Sequence, residues 1–345
     1  MRHFFLFPLE FAEKFRAPLN WINFTHFTRR RSTSTTHAAM RASTNHAPRV
    51  TVFRAHTTRR ERATMKTTKT RAIDVTRDAA CDSTIFALDF DGVVCDSVGE
   101  SSLSAWKHGL ELWPEVFGAP GAEAEKPRVL DELRRVRPVV ETGYENTTLA
   151  RALLEKLPGY GVDDILNDWD GMSGGLMTMW GLDRATMVEA FGRIRDDWIA
   201  SDFDGWLEPN ALYPGVSEAV LAAQGRGDAA VKIVTTKQGR FALAILDRMG
   251  GITIPEEDMF STTVSGIPKT DVLRTLGGEG KPRKIFVEDK LSTLEKVCKA
   301  ADLDDWELYL VDWGYNTPAE RERAAANPRI DVIGVEEFIS LLREG

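Results

Sequence analysis

The sequence predicts an α/β fold: a parallel sheet covered on both faces by helices, with a helical segment inserted directly after the first strand. Three observations carry this expectation. Ile85 to Ser97, IFALDFDGVVCDS, is an apolar run that ends in acids. From Tyr213 onward, short apolar runs rich in β-branched residues alternate with helix-length stretches. Between Gly99 and Asn210 the pattern is helical and Trp-rich, with almost no strand-like run.

A strand that runs into Asp89 places charge at the carboxyl edge of a sheet, where ligands sit in open α/β sheets. Asp89 and Asp91 would share a side of an extended backbone, but Gly92 lets the chain turn and re-aim the second acid. D-x-D-G occurs twice more, as Asp168-Trp169-Asp170-Gly171 and Asp202-Phe203-Asp204-Gly205. Neither follows a strand-like run, and both read as turns. Within the insertion, breaks are expected at Pro114, Pro120-Gly121, Pro127, Pro158-Gly159, Gly171 and Gly174-Gly175.

After Tyr213-Pro214-Gly215 the alternation predicts a helix from Ser217 to Gln224, then the strand Val231 to Val234 leading into Thr235-Thr236-Lys237. A helix from Phe241 to Met249, a short strand near Phe260 to Val264 and a helix from Thr270 to Leu276 follow. Lys284 to Val287 is a strand that runs into Glu288-Asp289. A helix from Leu291 to Ala301 precedes the strand Glu307 to Val311, and Ile330 to Val335 with its following helix ends the sequence.

The charge divides sharply. Residues 1 to 70 hold 14 Lys and Arg against 3 acids, so an overall net charge of −8 becomes −19 for the rest. Residues 1–75 are therefore expected to be a disordered leader, because Thr25 to Thr70 has no lasting apolar period. Its Arg-rich, hydroxyl-rich, acid-poor composition fits a transit peptide read by an import machinery. A secretory signal fits less well, because Glu10, Glu13 and Lys14 interrupt the Phe-rich start. Arg31 to Thr36, RSTSTT, is a poor helix by propensity, which favours a chloroplast over a mitochondrion. A plain basic arm, or a cytoplasmic protein translated from Met40 or Met65, are the alternatives. No aromatic-stacking module accompanies the basic charge, so no nucleic-acid partner is expected. No apolar run approaches the roughly 20 residues of a membrane span. Cys81, Cys95 and Cys298 have no metal-ligand spacing and suggest a reducing compartment, with Cys95 read as a small buried apolar residue. The pattern specifies no oligomeric state.

Asp89-x-Asp91, Thr235 and Glu288-Asp289 each follow a strand and should converge on one sheet edge, and Lys269, opening the helix at Pro268-Lys269-Thr270-Asp271, adds an ammonium beside helix N–H groups. Carboxylates, a hydroxyl and a lysine together suit magnesium and phosphate. In this order the residues resemble the four motifs of the haloacid dehalogenase superfamily: DFDGV, a strand-end Thr, a Lys and an acidic pair. The resemblance spans Thr84 to about Gly345 without the insertion. It implies a Rossmann-like three-layer sandwich formed by residues 83–98 and 211–345, with a helical first-type cap at 99–210. Gly266-Ile267-Pro268-Lys269 and Val287-Glu288-Asp289 look most like the phosphatase and phosphomutase branch.

The resemblance also implies roles. Asp89 would be the nucleophile and Asp91 the general acid and base, while Thr235 and Lys269 would hold the phosphoryl oxygens. Thr236 and Lys237 would contact substrate; Lys237 and Lys284 are both candidates for surface lysines, and of the two Lys237 is the one favoured as a second phosphate contact. Mg2+ would be held by Asp89, the Asp91 carbonyl, Asp289 and Glu288, leaving open which of the last two binds directly. The sequence departs at Thr293, where many family members carry another acid. The implied reaction is hydrolysis of a small phosphorylated metabolite. A sugar-phosphate phosphomutase and a catalytically quiet binding protein share the same motifs. Glu141, Tyr144, Glu145 and Asn146 are the cap residues offered for substrate choice.

Overall fold

The computed structural model describes residues 83–277 and 282–345. The leader, Cys81, Met40 and Met65 lie outside the described residues. In chain order the strands are β1 (Thr84–Leu88), β2 (Cys95–Asp96), β3 (Ala211–Leu212), β4 (Ala229–Thr235), β5 (Met259–Ser261), β6 (Arg283–Glu288), β7 (Trp306–Val311) and β8 (Ile330–Ile333). Six of them form one sheet in the order β5-β4-β1-β6-β7-β8, with every neighbouring pair parallel.

β1 is buried along its whole length because both of its faces are covered, which is why TIFAL reads as an unbroken apolar run rather than an alternating one. Its alternate side chains serve two cores. Phe86 and Leu88 join Ile233, Val287, Phe241, Ile245 and Leu342 on one face. Ile85 and Ala87 join Phe286, Leu310, Leu273, Leu294 and Val297 on the other. Each large side chain so buried contributes about 1.5–3 kcal/mol relative to exposure. The result is an α/β three-layer sandwich of Rossmann type. Its strand order reverses at β1, since the chain leaves β1 for β4 and β5 on one side and returns to β6 on the other. That reversal opens a crevice at the carboxyl ends of β1, β4 and β6.

Helices Val98–Leu112, Ala122–Val136, Glu145–Leu154, Val162–Met179 and Arg184–Ser201 lie between β2 and β3. They enclose a separate core of Trp106, Phe117, Leu133, Leu149, Ile165 and Phe191. The entry and exit of this helical unit meet where β2 pairs antiparallel with β3. Trp198 and Trp206, at its end, belong instead to the core under the sheet, with the Trp206 ring 6.0 Å from Phe241.

Several local expectations are corrected. Pro127 does not break its helix, which runs from Ala122 to Val136. The lost hydrogen bond falls on the exposed Glu123 in the first turn, where water can replace it. Gly171 and Gly174-Gly175 also lie inside a helix, and the irregular residue is Asp168 (φ −151, ψ 46), whose carboxylate accepts from Gly171 N. Asp202 likewise accepts from Gly205 N at the start of Phe203–Leu207. Both extra D-x-D-G stretches are thus aspartate caps within the helical unit. The strand expected near Phe260 to Val264 ends at Ser261, and Thr262–Ser265 is a short helix. The helix from Leu291 stops at Cys298, followed by a single tight turn at Ala301–Leu303.

Candidate active site

Asp89, Thr235, Glu288 and Asp289 are each fixed by a strand end. Asp89 continues β1, and its N–H donates to Val287 O of β6 at 2.9 Å, so the ladder carries the acid to the sheet edge before the chain turns. The turn needs Gly92, which has φ +83. A Cβ there would lie 2.0 Å from Asp289 Oδ2, so the glycine also makes room for a carboxylate from another strand. Gly92→Ala should cost about 1 kcal/mol or more through its backbone alone and displace Asp289 besides. A melting curve and a metal titration check this, and an unchanged variant in both would refute the cradle.

Lys269, the first residue of helix Lys269–Thr275, stands between two strand ends, 3.0 Å from Asp89 Oδ1 and 2.7 Å from Glu288 Oε2. Glu288 Oε1 accepts from Lys290 N at 3.2 Å. Asp289 Oδ2 accepts from Tyr315 N at 2.8 Å, and its backbone carbonyl accepts from Asn316 Nδ2 at 2.9 Å. Asp89, Glu288 and Asp289 are all buried, and one ligand oxygen from each lies within 4.8 Å of the others.

Crowding of this kind has an electrostatic cost. Burial first, then Glu288, pushes the Asp89 carboxyl up to about 7, against the pull of Lys269. Burial and Asp89 push Asp289 up to about 6. Glu288 is raised as well, by burial first, although Lys269 opposes it. Three desolvated carboxylates with one ammonium lack positive charge, so the donor set suits a hard divalent cation.

Asp91 stands apart from this cluster. Its Oδ1 accepts from Ser97 Oγ at 2.5 Å and from Lys237 Nζ at 3.2 Å. Burial would raise its carboxyl, but Lys237, Arg137, Ser97 and Arg195 outweigh it and hold the group below the usual range. The two aspartates that share a motif therefore have opposite electrostatics. Thr235 is wholly buried at the end of β4, and its Oγ1 accepts from Lys237 N at 3.1 Å, shaping the turn. Thr236 lines a cleft with Asp91, Ser97 and Lys237 on the core side and Arg137, Glu141, Tyr144, Asn146 and Arg195 on the helical side.

Lys237 is not a surface lysine. Its side chain is 1% exposed and sits between Asp91 and Glu100, the latter at 3.6 Å. Lys284 is remote from this group and pairs with Asp305 at 2.8 Å. Glu145 is also removed from the substrate candidates. Its carboxylate accepts from Glu141 N, Thr142 N and Trp169 Nε1, so it ties down the start of its own helix. Cys95 is a buried free thiol whose pKa burial pushes up. No helix among the described residues is long and apolar enough to cross a membrane.

Sequence reasoning missed Ser97, Glu100, Arg137, Arg195, Lys290 and Tyr315. Glu100 and Arg195 form a buried fork, 2.7 and 2.9 Å, across 95 residues of sequence. No local spacing signals such a pair. Tyr315 OH donates to Asp96 Oδ1 at 2.7 Å and accepts from Ser97 N and Val98 N at the entrance to the helical unit. Ser97, six residues behind Asp91 and just before helix Val98–Leu112, is the one that a search for hydroxyls near Asp91 could have found.

No family profile matches the chain, and no curated protein does. Solved structures do. One, described as a predicted phosphatase from Clostridium acetobutylicum, is 17% identical with a TM-score of 0.47, over 76% of this chain and 99% of that one. A second, described as a predicted phosphoglycolate phosphatase from Haemophilus somnus, is 14% identical with a TM-score of 0.47, over 76% and 97%. A haloacid dehalogenase-like family hydrolase from Streptococcus pneumoniae is 13% identical with a TM-score of 0.42, over 75% and 97%. Independently of these likenesses, three separated stretches of this chain bring together the buried Asp89 with Lys269, two further buried acids, Glu288 and Asp289, and a second, separately held aspartate, Asp91.

Proposed function

We propose that this chain is a phosphatase of the haloacid dehalogenase superfamily, which hydrolyses a small phosphorylated metabolite through an aspartyl phosphate on Asp89 with the help of Mg2+. The observation that carries this reading is the pairing of Lys269 with Asp89 at 3.0 Å, beside Glu288 and Asp289 and two residues from an aspartate in a different environment.

An oxygen of Asp89 attacks phosphorus, the bond from phosphorus to the ester oxygen breaks, and the departing oxygen takes a proton from Asp91, which is ionised in the free protein and takes up that proton when the substrate's negative charge offsets Lys237 and Arg137 beside it. Asp91 then accepts a proton from water as that water attacks the aspartyl phosphate, which releases inorganic phosphate and restores the Asp89 carboxylate. Lys269 is placed to neutralise charge that grows on the phosphoryl oxygens, and removing one such donor commonly costs about 10²–10³ in rate. Lys237, which lines the cleft beside Asp91, would meet the same anion. Asp89, Asp289 and Glu288 would hold Mg2+, and the ion would offset the negative charge through which Asp89 must approach a phosphate.

Turnover of a panel of phosphorylated metabolites is expected with Mg2+ and not after exhaustive chelation, with release of inorganic phosphate as the readout. Activity that survives chelation unchanged would refute the role given to the metal. From composition alone we also infer that residues 1–75 direct import into a chloroplast. Residues 1–80 fused to a fluorescent protein should carry it there; diffuse cytosolic signal would refute import, and mitochondrial signal would refute the choice of organelle.

A further inference from the structure

Two buried arginines face the cleft from the helical unit, and their circumstances differ. Arg195 is neutralised by a fork to Glu100. Arg137 is not. It opens the tight turn Arg137–Val139 after helix Ala122–Val136 and is 8% exposed. Its guanidinium carbon lies 4.1 Å from the centre of the Tyr315 ring, and one terminal nitrogen donates to Val140 O at 3.1 Å. Its Nε is buried without a hydrogen-bond partner among the described residues. A desolvated cation with no carboxylate among the described residues within ion-pair distance is expensive unless an anion completes it.

The surroundings indicate where that anion would sit. Arg137 lines the same cleft as Asp91, Thr236 and Lys237. Its charge is felt by Asp91, Asp289 and Asp89, in that order after Tyr315. The turn that carries it is pinned to the core beside the acidic pair, because Lys290 Nζ donates to Pro138 O. The aromatic floor beneath it is Tyr315, whose N–H holds Asp289 at 2.8 Å. One tyrosine therefore fixes both the third carboxylate and the arginine.

We propose that Arg137 is a catalytic residue supplied by the helical unit, whose guanidinium contacts the phosphoryl oxygens of the substrate. The anion site is then complete only when the 137–140 turn is docked on Lys290 and Tyr315. This inference rests on the phosphatase reading above. The rival role is structural: a pin between Val140 and Tyr315 with no contact to substrate.

The test uses the full chain with Mg2+, inorganic phosphate as the calorimetric ligand and the phosphomonoester panel for turnover. Arg137→Ala should weaken phosphate binding by about tenfold or more, the effect of losing a charge-assisted bond to a buried cation. It should also lower kcat/KM, and free guanidinium ion added at millimolar concentration should restore part of both. Wild-type phosphate affinity and kcat/KM in a folded Arg137→Ala would overturn the proposal, and so would losses that guanidinium does not touch. If Arg137→Ala does not fold, Arg137→Lys keeps the charge but loses the planar fork. It should then bind phosphate more weakly than wild type, and equal affinity would count against the contact. A wild-type protein that hydrolyses nothing in the panel and binds no phosphate overturns the phosphatase reading itself. Normal hydrolysis with an indifferent Arg137→Ala overturns only the arginine.

Discussion

Asp89→Asn is expected to abolish turnover, by on the order of 10⁴-fold or more, while the protein stays folded. The amide keeps the shape at the end of β1 but cannot donate the electron pair that forms the phosphoryl bond. It also removes one of three crowded buried acids, so melting temperature without metal should hold or rise. This combination is diagnostic, because a structural aspartate would lose stability and activity together. Asp91→Asn should behave differently. Asp91 is paired with Lys237 and Ser97 and contributes no carboxylate oxygen to the acidic cluster, so its loss should slow release of the leaving oxygen and attack of water while phosphate binding survives. Rapid-quench detection of a phosphorylated protein in Asp91→Asn, and none in Asp89→Asn, checks the assignment. Near wild-type rates in both variants would sink it.

The contrast between these aspartates shows what the sequence could and could not convey. That Asp89 follows a buried strand is legible because TIFAL is local and unbroken, and the same holds for Glu288-Asp289 after the apolar part of β6 and for Thr235 at the end of β4. A sheet edge collects whatever follows its strands, so order along the chain becomes proximity in space. The environment of each acid is not local. Lys237 looks exposed in Thr235-Thr236-Lys237-Gln238, yet it is buried because Glu100 comes down from the helical unit to meet it. Arg137 sits beside a proline at the end of an amphipathic helix, a position that reads as a helix end. Only the stacking on Tyr315, 178 residues further on in sequence number, makes it a cleft residue. Pro127 and Gly174-Gly175 failed as breaks for a related reason. Their local penalties of about 1–3 kcal/mol are smaller than what a face packed on the Trp106 and Leu133 core returns.

Lys269→Met should lower kcat/KM by about 10²–10³ and destabilise the metal-free protein by about 3–5 kcal/mol, because Asp89 and Glu288 are then buried without their shared cation. The pH dependence separates these charges from ordinary packing. Asp89 and Asp289 are raised in the folded protein to about 7 and about 6, above the 3.8 expected when unfolded. Between these values the folded state binds more protons than the unfolded one, so stability is favoured at low pH and lost as pH rises through the window from about 4 to about 7. Lys269→Met widens the loss, since its removal takes away a cation that favours the ionised forms. Magnesium should act in the opposite sense. It competes with those protons, so its stabilisation should be small near pH 5 and grow towards pH 8, reaching about 2.7 kcal/mol at a hundredfold excess over Kd. Urea melts of wild type and Lys269→Met across that range, with and without Mg2+, measure all of this in the absence of any substrate. Curves for wild type that are flat with pH and indifferent to the ion would show that the three carboxylates at the sheet edge neither share protons nor hold a metal, and the phosphoryl chemistry built on Asp89 would lose its electrostatic basis.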